Sequence, residues 1–110
     1  MKLPNAEHAV IDDVKLRDYR LSTTHPRGKH KARVFERVLG LTLREADLLR
    51  RALLEAAVNN DVMVGELDRF GQRYVIDVEL SGPKGKAMVR STWIILSRAE
   101  FPRLVSCYVL

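Results

Sequence analysis

The run His25-Pro26-Arg27-Gly28-Lys29-His30-Lys31 sets two imidazoles among three cations. Imidazole takes up and releases a proton near neutrality, with an ordinary pKa of about 6.5, and ammonium and guanidinium groups are natural partners of phosphoryl oxygens. The chemistry this run could serve is proton transfer beside a phosphate. Pro26 biases His25 away from helical backbone and Gly28 permits a positive φ, so a loop is predicted to turn sharply into a helix beginning at Lys29. A helix start offers unpaired N–H groups and a partial positive charge, which attract anions. Lysines in a first turn oppose that dipole, so Lys29 and Lys31 suit anion binding better than helix stability. Taken singly, each histidine also fits the plainer role of an exposed or hydrogen-bonded side chain.

A second group lies near the C terminus. Alternate residues of an extended strand share a face: over residues 86–96, Val89, Trp93 and Ile95 fall on one side and Arg90, Thr92 and Ile94 on the other. The Trp93 side is predicted to face the core. Over residues 103–109, burying Val105, Cys107 and Val109 leaves no hydroxyl unsatisfied and turns Leu104, Ser106 and Tyr108 outward. Arg90, Thr92, Ser106 and Tyr108 would then stand together on an open sheet face. Arginine can hold a phosphate there through two parallel N–H bonds, with hydroxyls serving the remaining oxygens. An ordinary polar sheet surface has the same composition.

The elements that must position these groups follow from hydrophobic spacing. Residues 3–11 read as an extended arm packed on the domain. Asp12 or Asp13 can cap a first helix to about Arg20, with Leu16 and Tyr19 on one face. A second helix from Lys29 to Leu39 carries Ala32, Phe35, Val38 and Leu39 as its stripe and stops at Gly40. Thr42 and Glu45 have the spacing of a capping box before a third helix, whose apolar positions Ala46, Leu49, Leu53, Ala56 and Ala57 continue until Asn59-Asn60-Asp61 break it. From Val62 the period becomes two. Strands are predicted over 62–67, 72–80, 86–96 and 103–109, separated by Asp68-Arg69-Phe70-Gly71, by Ser81-Gly82-Pro83-Lys84-Gly85 and by the break before Pro102. The predicted fold is α+β, with three N-terminal helices packed on one face of a four-stranded antiparallel meander.

Composition agrees with one domain spanning 1–110: the chain has 110 residues, 46% of them apolar and 30% charged. No window approaches the roughly 18 apolar residues of a membrane span and the start lacks the apolar run of a signal peptide, so no membrane partner is expected and the chain reads as cytoplasmic. Cys107 is the single cysteine, which excludes an intramolecular disulfide and a cysteine-rich zinc site. Residues 15–37 hold eight basic side chains against Asp18 and Glu36, a formal +6, while the whole chain is +5 and the remainder therefore −1. Basic charge concentrated in one third suggests a polyanion or an acidic protein as partner. No Gly-rich nucleotide loop, Gly-x-Ser-x-Gly elbow or His-Glu-x-x-His helix occurs, and His8, His25 and His30 lack carboxylates at metal-site spacing. Neither a metal nor another cofactor is expected.

Several motifs together resemble a bacterial family of small uncharacterised domains. They are Leu3-Pro4-Asn5-Ala6-Glu7, Lys15-Leu16-Arg17-Asp18-Tyr19, His25-Pro26-x-Gly28-Lys29-His30-Lys31-Ala32-x-x-Phe35, Leu39-Gly40, Gly71-x-x-Tyr74, Ser81-Gly82-Pro83-x-Gly85, Val89-Arg90-Ser91-Thr92-Trp93-Ile94 and Arg103-Leu104-x-Ser106-x-Tyr108-Val109. Members look like stand-alone proteins and like C-terminal domains of polymorphic toxins, and their element order resembles the ribonuclease fold of barnase, colicin tRNases and RelE-type interferases. Ser91-Thr92 stands where a Thr-Ala-like pair would be expected, which leaves open which hydroxyl faces outward.

The resemblance implies a metal-independent ribonuclease toxin of a toxin–antitoxin or polymorphic toxin system, acting on RNA and paired with a small acidic antitoxin or immunity protein. Such a reaction needs a base, an acid and cations around the phosphorus. The expected catalytic residues are His25, His30, Arg90 and Tyr108, with Lys29, Lys31, Thr92, Ser106 and Arg103 binding substrate. The alternative is a non-catalytic module that binds nucleic acid or a protein. Only Tyr74, Trp93 and Tyr108 of the aromatic residues fall in predicted strands, which is few for a stacking platform on single-stranded nucleic acid.

Overall fold

The computed structural model describes residues 1–14, 16–17 and 29–110. The period-two half of the chain forms β1 (Met63–Leu67), β2 (Gly71–Gly82), β3 (Gly85–Leu96) and β4 (Arg103–Val109). They pair antiparallel in the order β1-β2-β3-β4. The turn at Pro83-Lys84 sets the register of the longest pair. Gly82 faces Gly85, and counting outward brings Asp77 opposite Arg90 and Tyr74 opposite Trp93.

The fold is α+β, but among the described residues the sheet is preceded by two helices and not by the three predicted. One is α1 (Lys29–Val34), which continues into a π-helical turn, Phe35–Leu39; the other is α2 (Ala46–Asn59). Of the helix predicted from Asp12 or Asp13 to Arg20, the described residues Asp13, Val14, Leu16 and Arg17 are helical, and the Leu16 N–H donates to the Asp12 carbonyl at 3.1 Å. The rest of its predicted length lies outside the described residues. Helices in proteins are held chiefly by packing an apolar face, and in this stretch Leu16 is fully buried while Val14 is 66% exposed.

The helical layer is tied to the sheet at a hairpin. Gly40 ends the π-helical turn in left-handed backbone, φ 73°, as predicted for a helix stop, and its N–H donates to the Glu36 carbonyl. The freed Leu39 carbonyl accepts from Lys84 N–H at 3.1 Å, and it lies so close to Gly82 that a Cβ there would sit 2.1 Å from it. Only glycine admits that approach. Thr42 and Glu45 differ from the predicted reciprocal box: the Thr42 hydroxyl donates to the Glu45 carboxylate at 2.9 Å and accepts from Arg44 N–H, capping a short 3-10 turn, Leu43–Glu45, that leads into α2.

Phe35, Leu39, Leu49, Leu53, Ile76, Val89, Trp93 and Cys107 form the middle of the core. Ser91 is the one polar residue buried with them among the described residues. Its hydroxyl accepts from Trp93 Nε1 at 3.0 Å and donates to the Ile76 carbonyl at 3.2 Å, so the indole N–H is satisfied without water. The hydroxyl left on the outer face is therefore that of Thr92. Between Thr92 and Trp93 of β3 the pairing with β4 steps from Ser106 to Leu104, passing over Val105, which turns Leu104 into the core at 2% exposure and leaves Val105 half-buried. Strict alternation had predicted the reverse for this pair.

The N-terminal arm runs beside the sheet ends. It carries one 3-10 turn, Ala6–His8, and buries Leu3, Ala6 and Ile11. Val10 N–H donates to the Pro102 carbonyl, and the Val10 carbonyl accepts from Leu104 N–H, so the arm extends the β4 edge at its start. Among the described residues no helix is long and apolar enough to cross a membrane.

Candidate functional site

Register places three polar residues in one row across the outer face of the sheet. Asp77 on β2 faces Arg90 on β3, and Arg90 faces Tyr108 on β4. Asp77 accepts from Arg90 through both oxygens, Oδ1 from Nε at 2.8 Å and Oδ2 from Nη2 at 2.9 Å. Beyond Tyr108 the row is completed from the helical layer, where the Lys31 ammonium stands 4.8 Å from the Tyr108 ring centroid, a cation–π contact. The docking of α1's continuation on the hairpin turn holds Lys31 at this distance from the sheet. The next row along the strands pairs Thr92 with Ser106, whose hydroxyls lie 2.8 Å apart.

The row is electrically coupled. Hydrogen bonding to Asp77, and next to Tyr108, holds the Arg90 guanidinium charged above its already high ordinary pKa. The same bonds from Arg90 hold the Asp77 carboxyl below the usual aspartate range. A carboxyl whose folded pKa is depressed adds stability that is fully present above its unfolded pKa, about 3.9, and is lost as pH falls through the folded value. Urea unfolding should therefore find the wild type more stable than Asp77→Asn at pH 7, with the gap closing below about pH 4. A gap that persists unchanged to pH 2 would mean that the carboxylate is not what stabilises the pair.

Not every predicted residue joins this row. Arg90, Tyr108, Thr92, Ser106 and Lys31 are brought together. His30 is exposed on the first turn of α1, about 100° round the helix from Lys31. Lys29 supplies the first backbone position of α1. Arg103 is exposed at the far start of β4, five residues from Tyr108, so about 17 Å along the strand. His25 lies outside the described residues. Only six residues of α1 are α-helical before the π-helical turn, so side-chain cations rather than a helix dipole give this corner its charge.

The predicted set omitted Asp77, which the sequence could have supplied. Tyr74, Ile76, Val78 and Leu80 claim one face of β2 and leave Asp77 on the other, and a two-residue turn at Pro83-Lys84 pairs positions symmetrically about it. The contact between Lys31 and Tyr108 has no comparable signal, since it joins residues 77 positions apart through the packing of α1.

Residues 2–110 match a family described as a domain of unknown function, DUF6883. No curated protein matches the chain significantly. Among solved structures, a chain of the contact-dependent growth inhibition toxin–immunity protein complex from Klebsiella pneumoniae 342 superposes with a TM-score of 0.71, covering 92% of this chain and 99% of that one at 16% identity. The two chains share a fold.

Proposed function

Starting from its membership of the DUF6883 family, a domain of unknown function, we propose that this chain is a toxin domain that cleaves RNA without a metal. The observation that carries the reading is the row Arg90, Tyr108 and Lys31 on a sheet face that also presents the Thr92 and Ser106 hydroxyls. A fold shared with a chain of a toxin–immunity protein complex supports a toxin context and a dedicated protein partner.

In the proposed reaction the ribose 2′-oxygen forms a bond to phosphorus and the bond from phosphorus to the 5′-oxygen breaks, giving a 2′,3′-cyclic phosphate and a 5′-hydroxyl. The 2′-proton passes to an imidazole, His30 or His25. Tyr108, whose hydroxyl adjoins Arg90, returns a proton to the departing oxygen. Arg90 and Lys31 stabilise the added charge on the phosphoryl oxygens, a task for which fixed cations on a partly dry surface are suited. Thr92 and Ser106 orient the substrate, and Lys29 and Arg103 engage phosphates further along the strand. The basic segment predicts RNA affinity that falls with salt, with a log–log slope of roughly −0.7 per phosphate contacted.

A second reading, a domain that binds without catalysis, is favoured by the pairing of Arg90 with Asp77, since cross-strand ion pairs also occur on inert sheets. One experiment separates the two. The chain is expressed with and without the product of the neighbouring reading frame, and total RNA is run on a gel. Fragmented RNA that the neighbour protects is the expected result; intact RNA with normal growth would leave the binding domain as the better description.

A further inference from the structure

We propose that Asp77 is the positioning residue of a phosphodiester site at Arg90: it does not touch the ligand, but holds the guanidinium so that its outer N–H groups meet a phosphate on the β4 side, beside Tyr108, whose ring carries the Lys31 ammonium. The inference rests on reading this face as one that handles phosphates.

A guanidinium has five N–H groups. Asp77 takes the Nε group and one on Nη2, and Tyr108 is a further hydrogen-bond partner, so two of the three N–H groups left on Nη1 and Nη2 remain for a ligand. That remaining edge can hold two oxygens of one phosphate side by side. Asp77 approaches from β2, so the free edge is turned toward β4, where Tyr108 adjoins Arg90 and Lys31 stands over the Tyr108 ring. The pair is rigidly mounted. Both residues sit in the interior of twelve-residue strands that are in unbroken register with each other from Gly71 to Gly82. Asp77 is half-buried, with 24% of its side chain exposed, so displacing it from Arg90 would strand a carboxylate with little water to take it. With one acid and two cations, the row carries a net single positive charge, matched to the single negative charge of a phosphodiester.

An opposite role is conceivable on the same contacts: Asp77 could occupy the anion's place and have to be displaced. The two roles differ in sign. Removing a negative charge from the face strengthens anion binding by Coulomb attraction alone, whereas removing the residue that orders Arg90 weakens it.

Dimethyl phosphate, a monoanionic diester, serves as probe, titrated by NMR against the full chain as wild type, Asp77→Asn and Asp77→Glu. Weakening by about three- to tenfold in Asp77→Asn, the cost of ordering one long side chain on binding, with partial recovery in Asp77→Glu, is expected. Equal or tighter binding by Asp77→Asn, or no binding by the wild type, overturns the proposal. If Asp77→Asn does not fold, the wild type decides alone: at saturation the Arg90 Nε–H signal should stay in place while the Nη signals move, and a large Nε–H shift would mean that Asp77 had been displaced. The two readings fail separately. Diester binding weakened by Asp77→Asn without any RNA cleavage sinks only the ribonuclease, and RNA cleavage with diester affinity indifferent to Asp77→Asn sinks only the positioning role.

Discussion

Substituting Arg90 by alanine is expected to lower RNA cleavage by about 10²- to 10³-fold, the loss typical of removing one fixed donor aimed at developing charge. The reason is geometric. Arg90 is the middle member of the row, bonded on one side to Asp77 and adjoining Tyr108 on the other, so its removal takes away the phosphate contact and unties both neighbours. Arg90→Lys keeps the charge but not the fork: an ammonium cannot bond Asp77 through two parallel N–H groups and also face a phosphate. Lysine should therefore restore only a small part of the activity. Alanine also leaves the half-buried Asp77 without its cation, so folding must be checked beside activity, and Asp77→Ala combined with Arg90→Ala should recover stability but not cleavage. The measurement is the rate of cleavage of a labelled RNA at matched folded fractions. Arg90→Ala within threefold of wild type would remove Arg90 from the reaction.

Trp93→Ala is expected to cost about 3–5 kcal/mol, the range for emptying a large aromatic site in a core. Trp93 is fully buried among Tyr74, Leu104 and the helical layer. Domains are typically stable by only about 5–15 kcal/mol, so the variant should be close to unfolding, with a thermal midpoint lowered by well over 10 °C at roughly 4 °C per kcal/mol. Ser91→Ala makes a useful companion. It keeps the ring in place but removes the acceptor of the indole N–H, and leaving that donor buried and unmade costs about 1–3 kcal/mol. Both values are read from urea unfolding. A Trp93→Ala loss under about 1.5 kcal/mol would mean that the indole is not the keystone of this sheet.

Much of the fold was legible because its signals are local. Alternation on β3 put Trp93 inward and Arg90 and Thr92 outward, glycine at position 40 ended the second helix, and the Gly82 to Gly85 turn carried the pairing of Asp77 with Arg90 for anyone counting outward from it. Each depends on a few neighbouring residues and on backbone geometry common to all chains. Of the predicted first helix, only the start near Asp12 and Asp13 falls among the described residues, with Leu16 as its buried anchor.

The sequence by itself determined the α+β class, the four-stranded meander and the face on which Arg90, Thr92, Ser106 and Tyr108 stand, because period and turn chemistry act over short distances. Tertiary structure alone decided that β4 shifts register and buries Leu104, that the Ser91 hydroxyl bridges the indole N–H and the Ile76 carbonyl, and that Lys31 comes to rest over Tyr108. Each of these depends on which surfaces meet when distant segments pack. The Leu39 carbonyl pressed against Gly82 is one of the contacts that tie the helical layer to the sheet, and no window of neighbouring residues contains both.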